Sequence, residues 1–268
     1  EAVLENLDIK RGLFSKIAPF VKTGAIVASN TSGLSLAKMN EVLPDHLKRA
    51  FLVLHFFNPV RYMRLLEIVP GPSTDPDVMS RAIAFGEFLG KGIVHGKDTP
   101  NFVANRIGVH GLMLTIHEME RGGYTIEEVD KIVGPPMGRP KSAAFNTCDL
   151  VGIDTMIHVA QNCYDSLPND EARETFKMPA WIVELAKSGR TGRKTGAGFY
   201  KKEGADILVL DPKTNAYRAQ AKVRFDSLGA AKGISDVRER LKMLVNADDR
   251  AGQLAWKLLS QSLCYSAR

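Results

Sequence analysis

No apolar run in the 268 residues approaches the ~18 residues that a membrane-crossing helix needs, and no stretch has the layout of a signal peptide. The expectation is a protein without a membrane span, located in the cytoplasm. Cysteine is scarce. Cys148, Cys163 and Cys264 are far apart, form no CxxC or zinc spacing and are odd in number, which argues against a disulfide framework and for a reducing compartment. His110 and His117 are seven residues apart with no third ligand nearby, so no metal is expected. No Lys/Arg block is interleaved with aromatics, so nucleic acid is not an expected partner. Gly-rich phosphate motifs are missing too. Gly90-Lys91-Gly92 precedes an apolar run instead of following one, and no G-x-G-x-x-G occurs. Gly192-Arg193-Lys194-Thr195-Gly196 fails the phosphate-loop template because Arg193 stands where a glycine should precede the lysine. There is no internal repeat and no low-complexity segment.

What remains is an ordinary globular composition, 44% hydrophobic and 25% charged, in a chain long enough for two domains. Lys and Arg number 36 against 30 Asp and Glu, a net charge of +6 that suits either an anionic ligand or a solvated basic surface. The first residues begin inside a helical pattern without a methionine or a preceding strand. The last, Asp249 to Arg268, form an amphipathic helix on which the sequence stops. Both ends read as cut, so a fragment of a longer protein is expected.

Glu5 to Val21 has a helix-like apolar face. Ala25–Ala28, Ala50–Leu54, Leu65–Val69 and Ile93-Val94 read as short buried strands, with helices at Leu36–Leu43 and Asp75–Leu89 between them. This βαβ-like alternation predicts an α/β sheet domain through residue 98. Thr99-Pro100 reads as a helix N-cap and first residue, opening a long helix to Arg121. Thr125-Ile126-Glu127-Glu128 has the form of a capping box, and further helices are expected at Thr155–Ser166 and Pro179–Lys187. Residues 99–202 are therefore expected to be an all-helical domain. Gly204–Gln220 reads as a hairpin, followed by two helices at Ser235–Val245 and Asp249–Arg268.

The stretch Phe51–Glu67, FLVLHFFNPVRYMRLLE, carries the strongest chemical signal. His55 closes one apolar run, Asn58-Pro59 turns the chain, and Glu67 lies on the next run, so the pair could meet across neighbouring strands as a base and its orienter. A satisfied core histidine and a strand-end surface carboxylate are the plain alternatives. Ser29-Asn30-Thr31-Ser32 follows a strand, where short polar groups serve either a ligand or the turn itself. Asn105, one turn inside the expected helix on an apolar stretch, is either an amide aimed at a site or helix-end solvation.

Together, ENLDIKRGLF, SNTSGL, HFFNPVRYMRLLE, DTPNFVANRIG, PPMG, DLVGID and GRKTGAGFY resemble the L-3-hydroxyacyl-CoA dehydrogenases of fatty-acid β-oxidation, in family order over residues 1–202. DTPNFVANRIG, with RPKSAAF after PPMG, is similar to the large bacterial enzymes that join a dehydrogenase to an enoyl-CoA hydratase. The resemblance implies part of a Rossmann-like NAD-binding domain at 1–98, a helical C-terminal domain at 99–202, and a hairpin linker and start of a second helical repeat at 203–268. It implies His55 as the general base that takes the 3-hydroxyl proton of an acyl-CoA substrate, with Glu67 orienting it. Ser32, Asn58 and Asn105 are implied on the substrate side, and Glu5, Lys10, Asn30 and Lys194 near NAD. It also implies that the leading half of the NAD-binding domain, with its Gly-rich turn, is missing, so that this stretch alone binds NAD weakly and is inactive. Pairing with a second copy through the helical domain is left open. So are a non-catalytic structural or assembly role on the same fold and activity on a different hydroxy acid.

Overall fold

The computed structural model describes residues 1–267. The chain forms two compact units, Glu1–Arg106 and the residues from Ile107 onward. In the first, α1 (Leu7–Ile17) opens under the side chain of Asn6, which accepts from the Asp8 and Ile9 amides. Next come β1 (Val27–Ser29), the short helices α2 (Leu36–Asn40) and α3 (Asp45–Arg49), then β2 (Phe51–Phe56) and β3 (Leu65–Pro70). A further helix, α4 (Pro76–Phe88), with proline in its first turn, leads to β4 (Gly92–His95). The strands lie in the order β1-β2-β3-β4.

β1 and β2 are parallel, as are β3 and β4, whereas β2 and β3 are antiparallel. Connection length explains the difference. Helices bridge the two parallel pairs, but only residues 57–64 join β2 to β3, too few for the dozen or more that a parallel crossover needs. Alternation along the strands then sorts the side chains. Phe51, Val53 and Val69 join Phe14, Leu36, Met39 and Leu47 on one face, while Leu52, Leu66 and Ile68 pack with Val78 and Ala82 of α4 on the other. His55 and Glu67 continue the first set.

The helix expected from Thr99 begins later, as α5 (Ala104–Gly122). Asn101 and Phe102 have φ of 60° and 48°, in the left-handed region that a helix cannot contain. Asn105 is thus the second helical residue, in a first turn where asparagine carries little penalty, and not an interior one.

In the second unit, α6 (Ile126–Val133) starts in a complete capping box. The Thr125 side chain accepts from the Glu128 amide, and the Glu128 carboxylate accepts from the Thr125 amide. Then follow α7 (Phe145–Val151), α8 (Ile153–Ser166) and α9 (Ala180–Lys187). Beyond them β5 (Tyr200–Glu203), β6 (Asp206–Asp211) and β7 (Ala216–Ala219) form an antiparallel sheet, and α10 (Asp226–Ala231), α11 (Val237–Val245) and α12 (Arg250–Ser266) complete the unit. The expected hairpin is β6–β7, and β5 adds a third strand to it. The expected helix end at Arg268 lies outside the described residues. Val209, Leu244, Leu254 and Leu258 share one buried core with Met113, Ile126, Phe145 and Ile182, so residues after 202 help to build this unit's interior.

Candidate active site

The antiparallel register sets His55 directly opposite Glu67. His55 Nδ1 lies 2.6 Å from Glu67 Oε2, with the two side chains 4% and 0% exposed. The other carboxylate oxygen, Oε1, accepts from the Val103 and Ala104 amides at 3.0 and 2.6 Å. Glu67 therefore caps α5 from a strand 36 residues upstream, and the left-handed turn at Asn101–Phe102 aims those two amides at it. With one oxygen fixed by the backbone, the second has a fixed direction, and so does the imidazole bound to it. Nδ1 is engaged, so Nε2 is the nitrogen left to act, without a protein hydrogen bond among the described residues. The Phe57 and Phe102 rings lie against the imidazole at centroid distances of 4.4 and 5.7 Å.

The other expected residues of this unit fall into two groups. Asn105 Nδ2 donates to the Ser32 carbonyl at 3.3 Å, tying the loop after β1 to the start of α5. The Ser32 side chain is exposed and takes no part in that bond. Gly33 sits beneath it, where a Cβ would come within 2.9 Å of Asn101 Oδ1 and 3.1 Å of its amide nitrogen, so a side chain would push the two loops apart. Asn30 Oδ1 accepts from the Phe56 amide at 2.9 Å, fixing the end of β2 beside His55. Asn58 is exposed and begins a cis peptide to Pro59.

Glu5 and Lys10 form the second group. Glu5 Oε1 accepts from Thr31 Oγ1 at 2.5 Å and the Ser32 amide at 2.8 Å, while Lys10 Nζ is 3.2 Å from Glu5 Oε2 and 2.7 Å from Glu1 Oε1. Lys10 is 1% exposed, so its ammonium is held inside this cluster. Burial pushes the Glu1 carboxyl up, but the Lys10 ammonium and Ser29 hydroxyl outweigh it and hold it below the usual carboxylate range. Lys194 belongs to the second unit, where it is half exposed and 2.7 Å from Asp154. The structure thus brings His55 to Glu67 and Asn105 to Ser32, and commits Glu5, Lys10 and Lys194 to carboxylate partners or turn amides.

A crevice of about 410 Å³ opens at the carboxyl ends of β1 and β2, lined by Glu1, Ser29, Asn30, Leu54, Phe56 and Val60. Both Glu1 oxygens are occupied by Lys10 and Ser29, which leaves a largely neutral lining with an amide. That chemistry fits a flat, uncharged ring bearing a carboxamide, in the position where open α/β sheets bind ligands. Among the described residues, no group of three or more His, Cys, Asp or Glu side chains is placed to hold a metal ion. No described helix is long and apolar enough to cross a membrane.

Sequence reasoning missed the amides of Val103 and Ala104, whose role depends on a partner far away in the chain. It also missed Asp98, which accepts from the Leu36 and Ala37 amides at 2.9 Å each and caps α2. The only local signal was an acidic residue before Thr-Pro.

Residues 1–99 match the model of the 3-hydroxyacyl-CoA dehydrogenase NAD-binding domain, and residues 102–202 match that of the same family's C-terminal domain. The solved (S)-3-hydroxybutyryl-CoA dehydrogenase from Ralstonia eutropha is 30% identical, with a TM-score of 0.66 over 74% of this chain and 68% of that one. The chain belongs to the 3-hydroxyacyl-CoA dehydrogenase family. A probable 3-hydroxyacyl-CoA dehydrogenase of Bacillus subtilis is 50% identical over all 268 residues, which span 34% of its length. One from Deinococcus radiodurans is 43% identical over 203 residues, 75% of this chain and 58% of that protein. The expectation that the leading half of the NAD-binding domain is missing is not borne out by the match of residues 1–99 to that domain.

Proposed function

We propose that the chain supplies the catalytic base and substrate-side residues of an NAD-dependent oxidoreductase that converts L-3-hydroxyacyl-CoA to 3-ketoacyl-CoA in fatty-acid β-oxidation. The observation that carries this is the His55–Glu67 pair at 2.6 Å, with Nε2 left for substrate. Because Glu67 accepts at Nδ1, the neutral imidazole keeps its proton there and Nε2 has a lone pair for the 3-hydroxyl proton. As that proton arrives the ring becomes cationic, and the buried Glu67 carboxylate stabilises the charge without moving. NAD, when bound, supplies the acceptor for the hydride that leaves C3. Asn30 would meet its carboxamide at the crevice, and Asn105 with Ser32 would hold the substrate oxygen beside Nε2. Phe57 and Phe102 shield the imidazole from water, which strengthens its coupling to Glu67.

The test is reduction of NAD⁺ by L-3-hydroxybutyryl-CoA in the protein that carries this chain, before and after His55→Gln. Turnover should drop by about 10²–10⁴-fold, the usual weight of a general base. Retained turnover in a folded His55→Gln variant would refute the role. Substrate profiling with acyl-CoA thioesters against the free hydroxy acids fixes the substrate class.

A further inference from the structure

The second unit holds a cavity of about 1060 Å³ for which the dehydrogenase chemistry has no use. It lies among the end of α6, the Pro135-Pro136 turn, residues 222–225, α10 and α11. Lys131, Lys141, Lys222, Arg224, Lys232 and Arg240 line it, and none of the six forms an ion pair among the described residues. Only two carboxylates share the space. One of them, Asp130, is engaged by the amides of Ala144, Phe145 and Asn146 and the Tyr200 hydroxyl, and makes no ion pair with the six cations among the described residues. The other, Asp226, is exposed at the start of α10. Val223, Phe225 and Leu228 form an apolar wall, and Phe225 and Leu228 are themselves packed on the unit's core.

Unpaired cations crowded around one concavity repel one another, and the low-dielectric wall behind them concentrates their field on whatever enters. The volume lies just above the roughly 300–1,000 Å³ typical of small-molecule sites. An extended polymer is a poor match, because the charges line a hollow and the one aromatic present is half-buried.

We propose that this cavity binds a nucleotide-sized organic phosphate, with its phosphates on Lys222, Arg224 and Lys232 and its ring or other apolar part against Val223, Phe225 and Leu228. Arg240 is positioned at the back. Its Nε and Nη1 donate to the Pro136 and Ile234 carbonyls, which leaves Nη2 for a phosphate oxygen. The site lies wholly within the second unit and does not depend on the role of His55.

The experiment is photolabelling of the full chain with 2-azido-ADP, followed by peptide mapping, which separates this cavity from any nucleotide bound by residues 1–99. Label should fall on residues 222–232 or 131–141 and should be displaced by ADP. The double variant Arg224→Glu/Lys232→Glu, both exposed positions, should reduce that label at least tenfold. Lys187→Glu, an exposed lysine elsewhere in the unit, should leave it unchanged. Label confined to residues 1–106, or unaffected by the double variant, would overturn the proposal. Competition by inorganic pyrophosphate as strong as that by ADP would also overturn it, because the apolar wall would then contribute nothing.

Discussion

Glu67 in the first unit and Asp149 in the second solve the same local problem with opposite outcomes. Both carboxylates are buried, and each accepts from two consecutive backbone amides: Val103 and Ala104 on Glu67, Phe199 and Tyr200 on Asp149. Glu67 takes both amides on one oxygen and keeps the other for His55. Asp149 uses both oxygens on the backbone, at 2.8 Å each. It thereby clasps the Gly-rich segment, and Gly192, at φ 108°, passes so close that a Cβ would lie 2.9 Å from the Asp149 Cα. Gly192 and Gly198 are therefore accounted for by close packing on Asp149, and Gly196 by its left-handed backbone at φ 75°. Glu67 thus keeps an oxygen for a titratable partner, as the proposed reaction needs, whereas both Asp149 oxygens are spent on the backbone.

The largest expected effect separates the two on activity. In Glu67→Gln the carbonyl oxygen stays on the Val103 and Ala104 amides and the NH₂ turns to His55 Nδ1, which favours the wrong tautomer, so turnover should fall about 10²–10⁴-fold with the chain still folded. Asp149→Asn should leave kcat within a few-fold. A comparable loss of kcat in both variants, by steady-state assay, would erase the distinction. On stability the two should not differ. Asp149→Ala strands two buried amides, at about 1–3 kcal/mol each, and chemical denaturation should show a loss of roughly that sum. Glu67→Ala should cost a similar amount, because it also strands two amides.

The pH dependence should come from Asp149. Burial pushes its carboxyl up to about 6 against the Phe199 and Tyr200 donors, and Asp130 adds to the rise. A raised folded-state value means that the native chain binds more protons than the unfolded one between roughly pH 4 and pH 6. Stability from this group therefore increases as pH falls through that window and is lost as pH rises through it, with a span of at most ~3 kcal/mol. Denaturant midpoints of Asp149→Asn across the window should show a flatter slope than the parent, and an unchanged slope would remove Asp149 as its source.

How much of this was legible in the sequence follows from where the partners lie. The capping box at Thr125 and Glu128 was readable because both members are three residues apart. His55 and Glu67 were readable as a pair because each closes or opens an apolar run, and the short link of residues 57–64 makes the strands antiparallel. The start of α5 was misplaced at Thr99 because its cap is Glu67, far from it in sequence, and because the left-handed backbone at Asn101 and Phe102 has no compositional mark such as glycine. Asp149 was not singled out, since its partners lie 50 and 51 residues later. Likewise α3, α7 and α10, of 5 to 7 residues, are too short for a helical period to register.

The smallest expected effect concerns Ser32. The bond from Asn105 goes to its carbonyl, and its hydroxyl has no structural partner among the described residues, so Ser32→Ala should leave stability within about 0.5 kcal/mol. Turnover should nonetheless decline about tenfold if the hydroxyl contacts substrate, and an unchanged kcat/KM would confine this position to its backbone.

The central claim is that Glu67, fixed by the start of α5, holds His55 with its working nitrogen free. Long-range ¹H–¹⁵N correlation spectra of the neutral His55 imidazole test it without any cofactor or substrate. The account predicts a proton on Nδ1 and a bare Nε2, with that preference lost in Glu67→Gln. A neutral ring protonated on Nε2 in the unmodified chain would contradict it.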